Sequence, residues 1–232
     1  MKLTFIKSGA IAMCVLLTAS CSSWTNTGKG ALIGGGSGAA AGAGIGALIG
    51  GGKGAGIGAA IGAAVGTGAG VLIGKKMDKQ KKELEEQLGN NATVETVTDA
   101  NGLQAIKVTF PGGILFPTNG TTLSASAKTE LGKFAASLVQ NPDTDVYVYG
   151  YTDNTGKMDV NQRVSTGRAD AVRSFLQQNG VRSSRITAEG LPMTDYVASN
   201  DTAEGRAQNR RVEVYISANQ QMIQDAENGT LQ

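Results

Sequence analysis

The chain has 232 residues, enough for one domain or two small ones, and its 21 Lys+Arg against 19 Asp+Glu leave a net charge of only +2. So small a basic excess argues against an electrostatic nucleic-acid binder. The absence of histidine removes Ser-His-Asp and Cys-His nucleophilic catalysis, and with them every His-ligated metal site.

At the N-terminus, Lys2 and Lys7 form a positive region, Ile11 to Leu17 is apolar, and Thr18, Ala19 and Ser20 are small. This pattern predicts a secretory signal peptide over residues 1–20, too short to span a bilayer stably. The run Leu17-Thr18-Ala19-Ser20-Cys21 resembles the bacterial lipobox, with Thr18 where leucine is usual. The resemblance implies that Cys21 becomes the acylated N-terminus of a lipidated linker, residues 21–29. Buried acyl chains at ~0.8 kcal/mol per CH₂ give durable anchoring. Ordinary cleavage near Ala19, leaving a free thiol, is the alternative. Ser22 after the cysteine implies outer-membrane sorting by the enteric rule. Cys14 lies inside the leader, so no disulfide framework is on offer.

Most of the 34 glycines crowd into the first third, where one recurs at every fourth position from Gly30 to Gly74. Each interior glycine costs a helix in water ~1 kcal/mol against alanine. Strict period four with Ala, Leu, Ile and Val between instead reads as close-packed helices of the small-xxx-small kind. The run Gly50-Gly51-Gly52-Lys53-Gly54 interrupts the pattern. The expectation is a helical hairpin over 30–74 that dips into or crosses a membrane, and that can build a homo-oligomer; a flexible tether is the alternative. No phosphate-binding loop survives here, since Gly52-Lys53 lacks the preceding glycine and the following Ser/Thr. Residues 75–91 read as a charged, solvated helical spacer with pairs Lys79/Glu83, Lys81/Glu85 and Lys82/Glu86 and with Leu84 and Leu88 on one side.

Composition changes after residue 90. Val94–Val97 and Leu103–Phe110 flank a turn at Asp99-Ala100-Asn101-Gly102, a hairpin signal. Ser124 caps a helix to about Gln140, Val146–Tyr151 alternates as a strand, and a second helix runs from about Met158 to Asn179. Ile186–Glu189 and Arg211–Ile216 are strands, with a short helical turn near Ala203–Gln208. The order ββαβαβ predicts an α/β fold, more closely an α+β two-layer sandwich with helices on one face of a mixed sheet, over residues 92–217. Residues 218–232 are expected to be a flexible tail.

With Val160 set at zero on the second helix, Val164, Phe175, Arg168 and Val172 fall between about 40° and 120°. Arg168 is then a permanent charge near the middle of an apolar stripe, and an unpaired buried charge is very costly. Either it forms a structural ion pair with Asp153 after the preceding strand, or it lines a pocket where a ligand carboxylate is its partner. Spacing alone leaves both open.

Three blocks carry a resemblance: Gly150-Tyr151-Thr152-Asp153-Asn154-Thr155-Gly156; Asn161-Gln162-Arg163-Val164-Ser165 with Arg168-Ala169; and Glu204-Gly205-Arg206-Ala207-Gln208-Asn209-Arg210-Arg211-Val212-Glu213. At this spacing, over about 105–217, the chain resembles the OmpA-like peptidoglycan-binding family. With the lipobox and glycine-rich segment in front, the layout resembles YiaD-type lipoproteins. The resemblance implies that Asp153 and Arg168 hold the diaminopimelate residue of a peptidoglycan stem peptide. Asp153 would accept from its ammonium, and Arg168 would offer a planar fork to its carboxylate. Asn161, Phe116 and Asn119 are expected beside the ligand, although Pro117 stands where the family often has an acidic residue. Thr152, Arg206, Asn209 and Arg210 are expected to support the pocket, with Arg206, Arg210 and Arg211 orienting the last strand.

The expected function is non-covalent tethering of the outer membrane, through lipid on Cys21, to peptidoglycan in the periplasm. An oligomeric membrane-inserting or channel-like protein and a subunit of a trans-envelope machine, each positioned by the wall domain, are the alternatives. No catalytic group, metal site or cofactor is expected.

Overall fold

The computed structural model describes residues 68–99, 101–117 and 120–231. The signal peptide, Cys21, most of the glycine ladder with its expected hairpin, and Asn119 lie outside the described residues.

The first described element is helix α1 (Gly68–Leu88), followed by a 3-10 turn at Gly89–Asn91. The hairpin strands β1 (Thr93–Thr98) and β2 (Gln104–Pro111) come next, then a single helical turn α2 (Gly112–Leu115) and helix α3 (Ala125–Gln140). Strand β3 (Thr144–Tyr151), helix α4 (Met158–Gln178), a 3-10 turn at Ser183–Arg185 and strand β4 (Ile186–Leu191) follow. The short helix α5 (Ala203–Asn209), strand β5 (Arg211–Ala218) and helix α6 (Gln220–Glu227) complete the fold.

The five strands make one mixed sheet in the order β1-β2-β5-β3-β4. β3 pairs parallel with β4 and antiparallel with β5, so the last strand is inserted between the hairpin and the βαβ unit. Strand alternation decides which side chains meet the helices. Val146 and Val148 of β3, Val212, Val214 and Ile216 of β5, and Ile106, Val108 and Phe110 of β2 share one core with residues of α1, α3, α4 and α6. The alternate positions Tyr149, Tyr151 and Tyr215 form a second cluster, in which Tyr149 and Tyr215 meet edge-on at 5.8 Å between centroids. The expected two-layer arrangement of a mixed sheet with helices is therefore present. The hairpin turn is closed as its sequence implies, with Asp99 Oδ1 accepting from the Asn101 and Leu103 amides. Ser124 caps α3 by accepting from the Ala127 amide at 3.0 Å.

Three expectations are corrected. Residues 75–88 are not a solvated spacer; they belong to α1, whose Ile73, Met77, Leu84 and Leu88 are at most 1% exposed and lie in the main core. The apolar stripe was masked by the charges around it, because six Lys and Glu residues between Lys79 and Glu86 dilute four hydrophobic positions at helical spacing. Of the three expected ion pairs only Lys81–Glu85 closes, at 2.8 Å, among the described residues. Residues 218–232 are not a free tail either. Asn219 caps α6 by accepting from the Met222 amide, and Met222, Ile223 and Ala226 are buried against α1 and the core. Finally, the buried face of α4 is Asn161, Ser165, Arg168, Ala169, Val172 and Leu176, while Val160 is 41% exposed. That face centres near 130° in the wheel used above, so Arg168 sits at its edge rather than its middle. No helix among the described residues is long and apolar enough to cross a membrane.

Candidate functional site

The site gathers at the end of β3, where the strand runs out into Thr152 and Asp153. Gly150 is required there because a Cβ at that position would collide with the Ser165 carbonyl oxygen of α4. The helix therefore packs directly on the strand backbone and carries Arg168 close to Asp153.

Beyond the strand, Asp153 shapes its own turn. Its Oδ1 accepts from the Thr155 amide at 2.9 Å and from the Thr155 hydroxyl at 2.6 Å. This is the turn that an Asp two residues ahead of a Thr is disposed to make, and Gly156, at φ +84°, completes it. Asp153 Oδ2 takes Arg210 Nη1 at 2.6 Å. Burial alone would raise the Asp153 carboxyl, but the Thr155 hydroxyl and amide and the Arg210 guanidinium outweigh it and hold it below its ordinary value.

Arg168 is 4% exposed. It donates Nε to the Gly120 carbonyl at 3.1 Å, and its guanidinium carbon lies 5.3 Å from the centroid of the buried Phe116 ring. Its two terminal nitrogens hydrogen-bond to nothing among the described residues, and they are not sealed from solvent. Burial, reinforced by the like charge of Arg210 and opposed by Asp153, pulls the Arg168 guanidinium below its ordinary value. The two residues are thus close enough to feel each other without forming an ion pair. The structural pair Asp153–Arg168, one of the two readings open at the sequence level, does not occur; Asp153 pairs with Arg210.

The other expected residues divide by what they hold. Phe116 is the platform under Arg168, at 3% exposed. Asn161 spends its amide hydrogens on the Thr155 and Lys157 carbonyls, at 2.7 and 3.1 Å, and so fastens the Asp153 turn to α4. Thr152 is buried and its hydroxyl accepts from the Met193 amide, joining the turn to the loop after β4. Asn209 is fully buried and saturated: its Oδ1 accepts from the Val197 and Ala198 amides, and its Nδ2 donates to the Ala198 carbonyl and Asn200 Oδ1. Arg206 binds the Asn200 and Asp201 carbonyls. Arg211 lies 3.9 Å over the Tyr151 ring and pairs with Glu213 of the same strand at 2.7 Å. Three contributors escaped the sequence reading. Thr155 could have been found from its spacing to Asp153. Asn200, which accepts from the Asn154 amide at 3.3 Å, and the Gly120 carbonyl carry no sequence signal, because both arrive through the tertiary fold.

The arrangement offers one ionised carboxylate and one buried guanidinium with an open donor fork, side by side. It can engage a small group that carries opposite charges on one short frame.

A model described as the OmpA family matches residues 115–210, and one described as YMGG-like Gly-zipper matches residues 1–78. The probable lipoprotein YiaD of Escherichia coli is 41% identical over 212 residues, 91% of this chain and 94% of that one. The peptidoglycan-binding protein ArfA of Mycobacterium tuberculosis is 39% identical over 113 residues, 49% of this chain and 35% of that one. Among solved structures, the cell wall anchor of the T6SS from Pseudomonas aeruginosa superposes with a TM-score of 0.51 at 30% identity, covering 58% of this chain and 96% of that one.

Proposed function

This chain belongs to the family of the lipoprotein YiaD, an OmpA-family domain behind a glycine-zipper segment, and on that premise we propose that it binds peptidoglycan without catalysis and tethers the outer membrane to the wall. The observation that carries the proposal is Arg168. A guanidinium 4% exposed, with its terminal nitrogens uncommitted among the described residues, is an incomplete arrangement that a ligand carboxylate completes. Asp153, ionised and next to it, supplies the opposite charge.

Diaminopimelate in a stem peptide fits this pair, because its side chain ends in an ammonium and a carboxylate on the same carbon. Arg168 donates a two-pronged hydrogen bond to the carboxylate and Asp153 accepts from the ammonium. Phe116 supports the guanidinium from one side, and Asn161 and Thr155 keep the Asp153 turn in register. Asn119, which lies outside the described residues, is proposed as a further ligand contact on the family resemblance alone. The rest of the chain serves the tether: acyl groups on Cys21 enter the periplasm-facing leaflet of the outer membrane, and the glycine ladder packs helices against each other or against a second copy.

The test is retention on purified sacculi. Wild type is expected to co-sediment, while Asp153→Ala and Arg168→Ala, each melting as a folded protein, are expected in the supernatant. Equal retention of all three would exclude this site from wall binding.

A further inference from the structure

Charge at the site is not balanced. One carboxylate, Asp153, faces two guanidiniums, Arg210 at 2.6 Å and Arg168 without an ion pair. Asp153 Oδ1 is already occupied by both Thr155 donors, whereas Oδ2 receives Arg210 alone. A carboxylate offers about four acceptor positions. The oxygen with capacity for an incoming ammonium is therefore the one that Arg210 holds.

The two partners are also unequally free. The Asp153 side chain is 6% exposed and fixed by its turn, while the Arg210 side chain is 41% exposed. Arg210 can swing its guanidinium toward solvent, where a charge is well hydrated; Asp153 cannot follow.

We infer that Arg210 is a specificity-determining residue of this site, standing on Asp153 where a ligand ammonium goes and yielding only to a ligand that brings a carboxylate with its ammonium. This inference rests on the stem-peptide reading above. A ligand with an ammonium alone, such as a lysine-type stem peptide, exchanges one cation for another at Asp153. It leaves Arg168 without a carboxylate and adds a third positive charge. A ligand with both groups restores two carboxylates to two guanidiniums before its own ammonium is counted. Arg210 thus acts mainly against the wrong ligand, which is how specificity is commonly gained when attraction alone discriminates poorly. Arg168 supplies the attraction, and Arg210 supplies the penalty.

The experiment is calorimetric titration of the full-length chain in detergent with two synthetic tripeptides, L-Ala–γ-D-Glu–meso-diaminopimelate and L-Ala–γ-D-Glu–L-Lys. Wild type, R210Q, R210A, R210K and R168A are compared, each after its melting curve is recorded. Wild type is expected to prefer the diaminopimelate peptide. R210Q or R210A is expected to narrow that preference about tenfold, ~1.4 kcal/mol, chiefly by strengthening the lysine peptide. R210K, which keeps the charge, is expected to hold the wild-type ratio. A ratio that both neutral variants leave unchanged, or affinities for the two peptides that fall together, would overturn the inference, as would failure of both neutral variants to fold. Such a result with diaminopimelate binding still lost in R168A leaves the stem-peptide reading standing. Wild type that binds neither peptide overturns that reading and this inference with it.

Discussion

Lys76 Nζ stands 2.7 Å from Asp143 Oδ2 and fastens α1, the helix that holds the last glycines of the ladder, to the loop between α3 and β3. The ion pair sits beside a larger apolar contact, in which Ile73, Met77, Leu84 and Leu88 fill the core of the sheet domain. The OmpA-family domain therefore takes in α1, some twenty residues before the composition change that marks it in sequence.

A fragment starting at residue 90 is expected to be far less stable than one starting at residue 68. Each fully buried apolar side chain stabilises by roughly 1.5–3 kcal/mol, and the shorter fragment lacks four of them while exposing the surface they covered. Thermal melts of the two fragments, with binding of a hydrophobic dye, measure the difference. Equal melting temperatures would count against α1 as part of the core.

Replacement of Gly150 by alanine is expected to cost about 1–3 kcal/mol through overpacking, because the added Cβ meets the Ser165 carbonyl of α4. The same change moves the helix that carries Arg168, so sacculus binding should weaken beyond the loss of stability. Gly132→Ala on α3 is the control. Nothing lies within 4 Å of its added Cβ, and the exchange should stabilise by up to ~1 kcal/mol. Denaturant titration of both variants separates the two outcomes.

Asp153 links stability to pH. Its carboxyl is held below the ordinary 3.8, so the native state favours the ionised form. The stability it contributes is complete above its unfolded value and is lost as the pH falls through the lower native value. Asp153→Asn should therefore be clearly less stable than wild type at about pH 7, and the gap should close near about pH 2. Urea unfolding at the two pH values reads this directly. A gap that widens on acidification would contradict the Thr155 and Arg210 assignments. Peptide binding should be flat between about pH 5 and pH 8, since neither Asp153 nor Arg168 changes charge there.

Cys21→Ser is expected to leave an unprocessed precursor that has lost its acyl groups and partitions with soluble proteins. Intact mass and membrane fractionation check it. Unchanged mass and unchanged sedimentation with membranes would rule out the lipid anchor at this cysteine.

Much of the fold was legible because alternation and helical spacing are local. The strands at Val146–Tyr151 and Arg211–Ile216 and the helix after Ser124 could be read from their own residues. Helix α1 was misread for the opposite reason: a chain of lysines and glutamates around Met77, Gln80, Leu84 and Leu88 looks solvated until the surface that accepts its apolar edge is known. Helix α6 was missed because its eight residues are too few for periodicity to declare itself.

At the site, sequence alone determined the residue types: a carboxylate just after a strand at Asp153, and a guanidinium on the buried side of a helix at Arg168. Which charges pair was decided only by the tertiary structure. Asp153 and Arg210 are 57 positions apart, a separation the sheet closes by inserting its last strand between earlier ones. That insertion brings Arg210 onto Asp153 and leaves the fork of Arg168 open among the described residues. A pairing set by strand order has no local signature, because the energy that selects it is spread over the whole sheet rather than held by the residues that meet.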